Sequence, residues 1–172
     1  MNYHENPLPL EEQLRIAMRH WASGIGIATA SHDGVRHGMT VSSFTSVTVD
    51  PPMVLVSLQK DSRTHDLVFD SQAFGITLLA ADQRELSDIF AGRLGDDEHR
   101  FAGLETFTLK TGSPLLFGGL AVFDCRLKDS YDAKTTTVMF GEVVAVQISS
   151  RPEEELRPLL YHNQGYHWLE QD

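Results

Sequence analysis

The segment Gly38-Met39-Thr40-Val41-Ser42-Ser43-Phe44-Thr45-Ser46 places five hydroxyl side chains in nine residues of a β-compatible stretch. Hydroxyls and backbone amides at that density can bond the carbonyl and nitrogen edge of a planar ring, with Val41 and Phe44 supplying apolar contact. The same residues suit a half-exposed strand whose hydroxyls meet water. In Ser57-Leu58-Gln59-Lys60-Asp61-Ser62-Arg63-Thr64 an apolar strand ends in a polar turn and a helix begins near Ser62. A helix start offers unpaired N–H groups, so the Ser62 and Thr64 hydroxyls and the Arg63 guanidinium form a candidate phosphate cradle. Simple capping by Ser62 beside a solvated Arg63 is the alternative. Asp88-Ile89-Phe90-Ala91-Gly92-Arg93 reads as a helix end whose arginine could reach an anion, a neighbouring subunit or the acidic run Asp96-Asp97-Glu98.

Residues for acid–base or nucleophilic catalysis do not assemble into a known pattern. There is no Gly-x-Ser-x-Gly elbow, Walker loop, His-Glu-x-x-His or paired-cysteine spacing. Gly24-Ile25-Gly26 opens like a dinucleotide fingerprint, but Thr29 stands at the third glycine position and the stretch enters a strand instead of following one. His32, His37, His162 and His167 have no carboxylate or cysteine at ligand spacing, so they read as surface or interface residues and no metal site is expected. Cys125 alternates with Phe123 and Leu127, which predicts an inert core thiol.

The elements that must hold these residues are mostly strands. Helical spacing of Leu10, Leu14, Ala17, Met18 and Trp21 predicts an opening amphipathic helix. Ile25–Ala30, Met39–Val49, Met53–Leu58, Phe74–Ala80, Phe107–Thr111, Leu120–Leu127 and Thr137–Ile148 read as strands, with a hairpin turn at His32-Asp33-Gly34 and a stop at Asp50-Pro51-Pro52. Short helices are predicted from Ser62 to about Phe69, from Asp82 to about Phe90 with Asp82 and Glu85 as a capping box, and from Pro152 to Leu160. Strands that outnumber helices without βαβ alternation predict a mainly β, antiparallel barrel or sandwich.

The chain has 172 residues, 14 Lys plus Arg against 24 Asp plus Glu, and one Cys. That length can bury roughly 70% of the unfolded surface in one domain without staples. A formal charge of −10 lacks the basic footprint that nucleic-acid binding requires. The first ten residues have neither the basic start nor the apolar run of a signal peptide, and no stretch approaches the ~20 apolar residues of a membrane span. A cytoplasmic protein is expected.

Taken together, these segments resemble the short-chain flavin reductase family, the small component of two-component flavin-dependent monooxygenases. The resemblance runs from about Met18 to Leu169. It includes His37 through Ser46, Asp50-Pro51-Pro52-Met53-Val54-Leu55-Val56, Ser62-Arg63-Thr64, Phe74-Gly75-Ile76 through Leu79-Ala80, and Leu86-Ser87 through Phe90-Ala91-Gly92. Further matches are Arg100-Phe101-Ala102-Gly103, Gly141-Glu142-Val143, Leu159-Leu160-Tyr161 and Gly165-Tyr166.

The resemblance implies one domain over residues 1–172: an N-terminal helical segment, 1–22, then an antiparallel Greek-key split barrel, 23–169. It implies a homodimer holding FMN or FAD at the subunit interface, NAD(P)H as co-substrate, and a monooxygenase that receives the reduced flavin. Thr40, Val41, Ser42 and Ser43 would line the flavin ring, Ser57, Leu58, Gln59 and Lys60 would run alongside it, and Ser62, Arg63 and Thr64 would hold the phosphate. Ala91 and Arg93 would close the site. Hydride passes from nicotinamide to the flavin N5, so no acid–base residue is needed. One departure stands out: where the family commonly has Gly-Asp-His ahead of Gly141-Glu142-Val143, this chain has Lys134-Thr135-Thr136. Either Lys134 or Thr136 takes over the contact with the nicotinamide nucleotide, with Tyr166, His162 and His167 as further substitutes, or the bound flavin serves another role.

Overall fold

The computed structural model of the chain describes residues 7–94 and 100–169, so the acidic run Asp96-Asp97-Glu98 lies outside the described residues. Twelve strands are present among them: β1 (Ser23–Gly24), β2 (Gly26–His32), β3 (Val35–Val41), β4 (Thr45–Thr48), β5 (Met53–Gln59), β6 (Ala73–Leu78), β7 (Thr106–Phe107), β8 (Leu115–Leu116), β9 (Ala121–Ala133), β10 (Thr136–Ile148), β11 (Leu160–His162) and β12 (Gly165–His167). The helices are α1 (Leu10–Met18), α2 (Arg63–Ser71) and α3 (Arg84–Phe90).

Seven strands form one antiparallel sheet in the order β3-β2-β6-β9-β10-β5-β4. Its two edge strands, β3 and β4, are consecutive in the chain and separated only by Ser42, Ser43 and Phe44. A three-residue link cannot cross an open seven-stranded sheet, since fully extended chain spans at most ~3.6 Å per residue. The sheet therefore curls until its edges meet, which gives the expected mainly β barrel. The β2–β3 turn is built on Asp33 and Gly34, both with positive φ (48° and 78°), the primed geometry that matches strand twist.

Alternation decides what faces inward. Along β5, Val54, Val56 and Leu58 are buried, while Met53, Leu55 and Ser57 are half-buried on the other face. They join Ala28, Val41, Phe74, Ile76, Cys125 and Met139 in the barrel core, to which α2 adds Leu67 and Val68. A second cluster, with Ile25, Ile27, Leu79, Phe90, Phe101, Leu116 and Leu159, lies beneath α3. Burying a Phe or Leu fully contributes roughly 1.5–3 kcal/mol.

Several expectations require correction. The opening helix ends at Met18 instead of Trp21 and buries none of its residues. The single strand expected over Met39–Val49 is broken at Ser42–Phe44 because the chain passes there from one barrel edge to the other. The strand at Phe107–Thr111 shrinks to Thr106–Phe107 because Lys110 and Thr111 turn to donate their amides to the buried Asp124 carboxylate (2.6 and 2.8 Å). The segment 152–160 holds only a short 3₁₀ turn at Glu153–Glu155. Leu160–His162 is drawn into a ladder with β1 and β12. The Asp82 and Glu85 capping box is absent: Gln83 accepts the Ala80 amide (3.0 Å), and Asp82 pairs with Arg151 (3.0 Å).

Candidate functional site

α3 begins one turn after the Ala80 bridge to Pro158, so its final turn faces β3 on one side and the β11–β12 hairpin on the other. Between them lies a pocket of about 190 Å³, lined by Thr40, Ser42, Ser87, Ala91, Arg93, Tyr161 and Tyr166 with Ile25 at its base. The Thr40 hydroxyl donates to the Ser87 carbonyl (2.7 Å). Ser42 and Tyr161 also line a wider groove of about 850 Å³ that runs past the C-terminal end of α1, where Arg15, Arg19 and Trp21 stand.

Arg93 is the pocket's cation. Its guanidinium donates to Asp88 Oδ1 (2.9 Å), the Tyr166 hydroxyl (3.3 Å) and the Tyr161 hydroxyl (3.3 Å). The Tyr161 hydrogen bond raises the Arg93 pKa, against the opposing effect of burial. Burial chiefly raises the Tyr166 pKa as well, with Ser87 opposing and Asp88 adding to it. Tyr166 is thus a neutral donor, and Asp88 Oδ1 accepts its hydroxyl at 2.8 Å.

The second cluster forms at the start of α2. Ser62 caps the helix, accepting the His65 amide (3.3 Å) and donating to the Gln59 carbonyl (2.7 Å). The first-turn amides have no acceptor within the helix. Arg63 is exposed and, among the described residues, has no acidic partner. Thr64 points inward: it is fully buried, and its hydroxyl lies 2.8 Å from His37 Nδ1. His37 is therefore a buried residue and not the surface histidine expected, because β3 turns that position toward α2.

The β9–β10 turn lies against this corner. Thr136 is paired across the ladder with Gln59, and the Lys60 amide donates to the Thr135 carbonyl (3.1 Å). Lys60 Nζ forms an ion pair with Asp132 (2.7 Å), and this hydrogen bond holds the Asp132 carboxyl below its usual range. Lys134, in a left-handed conformation (φ 65°), donates its amide to Asp132 (2.7 Å). The structure thus joins Gln59, Lys60, Ser62, Arg63, Lys134 and Thr136 at one corner. Thr40, Ser42, Ala91, Arg93 and Tyr166 gather at the pocket.

Besides Thr40 and Thr64, whose hydroxyls are bonded to Ser87 and His37, three further expected positions have occupied side chains. Val41 and Leu58 point into the barrel core, leaving only their backbones for a ligand. Ser43 is bonded twice to the Ser57 backbone (3.0 and 3.1 Å). Sequence reasoning missed Ser87 and Tyr161 as pocket residues, and Asp88 as the residue that holds Arg93 and Tyr166 from behind. Each stood in a quoted segment, but no local spacing relates residues that meet across 79 or 78 positions, as Tyr166 meets Ser87 and Asp88. Cys125 is buried, with burial and the neighbouring Asp124 pushing its pKa up, so it is the inert thiol expected. No helix among the described residues is long and apolar enough to cross a membrane.

The model of the flavin reductase like domain matches residues 18–170. The chain belongs to this family. The flavin reductase FMN reductase (NADH) RutF of Stutzerimonas stutzeri strain A1501 is 34% identical over 160 residues, covering 93% of this chain and 89% of that one. Among solved flavin reductase structures, the styrene monooxygenase flavin reductase of Pseudomonas putida S12 is similar at a TM-score of 0.79 with 34% identity, covering 92% of this chain and 97% of that one. A homologue of nitrilotriacetate monooxygenase component B from Mycobacterium thermoresistibile gives a TM-score of 0.85 with 31% identity, covering 93% and 87%. The flavin reductase fold of these neighbours is the split barrel.

Proposed function

We propose that this protein is an NAD(P)H-dependent flavin reductase that supplies reduced FMN or FAD to a partner monooxygenase. The observation that carries the reading is the donor set. A helix start with an exposed Arg63 that has no acidic partner among the described residues suits a phosphate, and a hydroxyl-lined pocket with a small Ala91 and a fixed Arg93 suits the polar edge of a ring. When bound, the flavin supplies the hydride acceptor and the nicotinamide the donor.

The chain's own residues hold and orient. The Ser62 hydroxyl and the Arg63 guanidinium and amide grip the phosphate, while the buried Thr64, its hydroxyl already bonded to His37, braces the helix start from inside. Thr40, Ser42 and Ser43, with the backbones of Val41, Ser57 and Leu58, form the wall along the ring, and Gln59 and Lys60 continue it toward the phosphate. Ala91 and Arg93 close the far end. Lys134 and Thr136 on the β9–β10 turn, and Tyr166 at the pocket, are the candidates for the nicotinamide nucleotide.

The monooxygenase partner is supported by two solved relatives, a styrene monooxygenase flavin reductase and a homologue of a monooxygenase component B. A homodimer is supported by the exposed apolar face of Leu10, Leu14, Met18 and Trp21. A cytoplasmic location is supported by the proposed use of NAD(P)H and by a free thiol at Cys125.

The test is NADH and NADPH oxidation with added FMN and FAD. No oxidation above the free-flavin rate refutes the reductase reading. Thr136 in the position of the family histidine favours one second reading, a flavin-binding protein without reductase turnover. Anaerobic visible spectra before and after NADH separate the two: bleaching supports the reductase, and an unchanged bound-flavin spectrum supports the carrier.

A further inference from the structure

We propose that Asp88 is a positioning residue that sets how tightly reduced flavin is held relative to oxidised flavin, by carrying the counter-charge to Arg93 at the pocket wall. The inference rests on the flavin-reductase reading of the same pocket.

The geometry makes Asp88 the junction of the wall. One oxygen, Oδ1, accepts from both Arg93 (2.9 Å) and the Tyr166 hydroxyl (2.8 Å). The other, Oδ2, stands 3.9 Å from Arg84 Nε, whose guanidinium carbon lies 5.2 Å from the centre of the Tyr166 ring. The Asp88 side chain is only 20% exposed, so its charge is poorly screened. Arg93 itself is clasped between Tyr161 and Tyr166, 5.8 and 5.5 Å from their ring centres. Asp88 thus fixes Arg93 in place and offsets the positive charge that Arg93 brings to the pocket wall.

That offset matters for one form of the ligand. The oxidised flavin ring is neutral, whereas reduction places negative charge on its pyrimidine edge. An unbalanced Arg93 guanidinium at the wall would hold the reduced ring and barely affect the oxidised one. A reductase that hands its product to another protein needs the reduced form to leave. The Asp88 carboxylate lowers the wall's positive potential without removing the cation that orients the ring.

The experiment compares Asp88→Asn with wild type in anaerobic titrations, using FMN and dithionite-reduced FMN, and measures the midpoint potential of bound FMN. Asn keeps the shape and one acceptor oxygen while removing the charge. The expected result is affinity for reduced FMN increased about five- to tenfold with oxidised FMN within about twofold. By linkage the bound potential rises by about 30 mV for a tenfold change. Asp88→Glu restores the wild-type ratio, and Arg93→Gln shifts the ratio the opposite way. Equal changes in both forms, or none, overturn the assignment of Asp88 while leaving the reductase reading intact. A wild-type protein that binds neither form overturns both.

Discussion

Ser43 and Ser57 are joined twice: the Ser43 hydroxyl donates to the Ser57 carbonyl at 3.0 Å and accepts the Ser57 amide at 3.1 Å. The pair lies where the chain leaves β3 and enters β4, so a side chain supplies the hydrogen bonds that a ladder would otherwise make at the barrel's seam. Ser43→Ala leaves a half-buried amide and carbonyl with one partner fewer. The expected loss is about 1–2 kcal/mol of stability, read as a lower urea midpoint at unchanged slope. An unchanged midpoint would show that water replaces the hydroxyl at no cost.

At the start of α2, the phosphate-binding role proposed for Arg63 separates cleanly from fold. Arg63→Ala, an exposed change, leaves stability nearly unaltered. It weakens FMN binding by about 1.5–3 kcal/mol, roughly ten- to hundred-fold. Riboflavin, which has no phosphate, is the control ligand. Equal losses for FMN and riboflavin would remove the phosphate cradle.

The Lys60–Asp132 pair gives a pH dependence of known sign. Asp132 is held below its usual range by the Lys60 hydrogen bond, so it binds fewer protons folded than unfolded. The pair's contribution is complete above the ordinary carboxylate range, near pH 4, and disappears as pH falls through the lower folded value. Asp132→Asn is therefore expected to lower the melting temperature slightly at pH 7 and low salt, and not at all in strong acid. An NMR titration of Asp132 with an ordinary carboxylate midpoint would contradict this.

Gly141, in the Gly141-Glu142-Val143 segment, is required by contact and not by backbone conformation. A Cβ there would stand 2.8 Å from Phe74 Cε1 and 3.0 Å from Cys125 Cβ, with the Phe74 ring tip closer still. Phe74 is fully buried and cannot yield. Gly141→Ala is expected to cost about 1–3 kcal/mol or more, measured by thermal melting. Adding Phe74→Leu should recover part of that loss.

The sequence by itself determined what acts over a few residues. Ser62 capping α2 depends on a serine oxygen meeting the amide three positions on. The Asp33-Gly34 turn depends on residues that tolerate positive φ. The runs Met53–Leu58 and Thr137–Ile148 were legible because short apolar, β-branched runs bounded by turn residues fit a pleated surface. The ordered motifs also carried the family and its barrel.

Tertiary structure alone decided how the candidate site is shared out. Val41 and Leu58 turn inward because barrel alternation puts them on the core face. Thr64 serves His37 because β3 passes beneath α2. The long strand expected over Met39–Val49 breaks because the barrel's two edges must be joined within three residues. Asp88 meets Tyr166 across 78 positions, a contact that exists only after the β11–β12 hairpin docks on α3. Local preferences reach one or two turns of chain, whereas a pocket wall is assembled by chain closure between distant segments, and no short spacing records it.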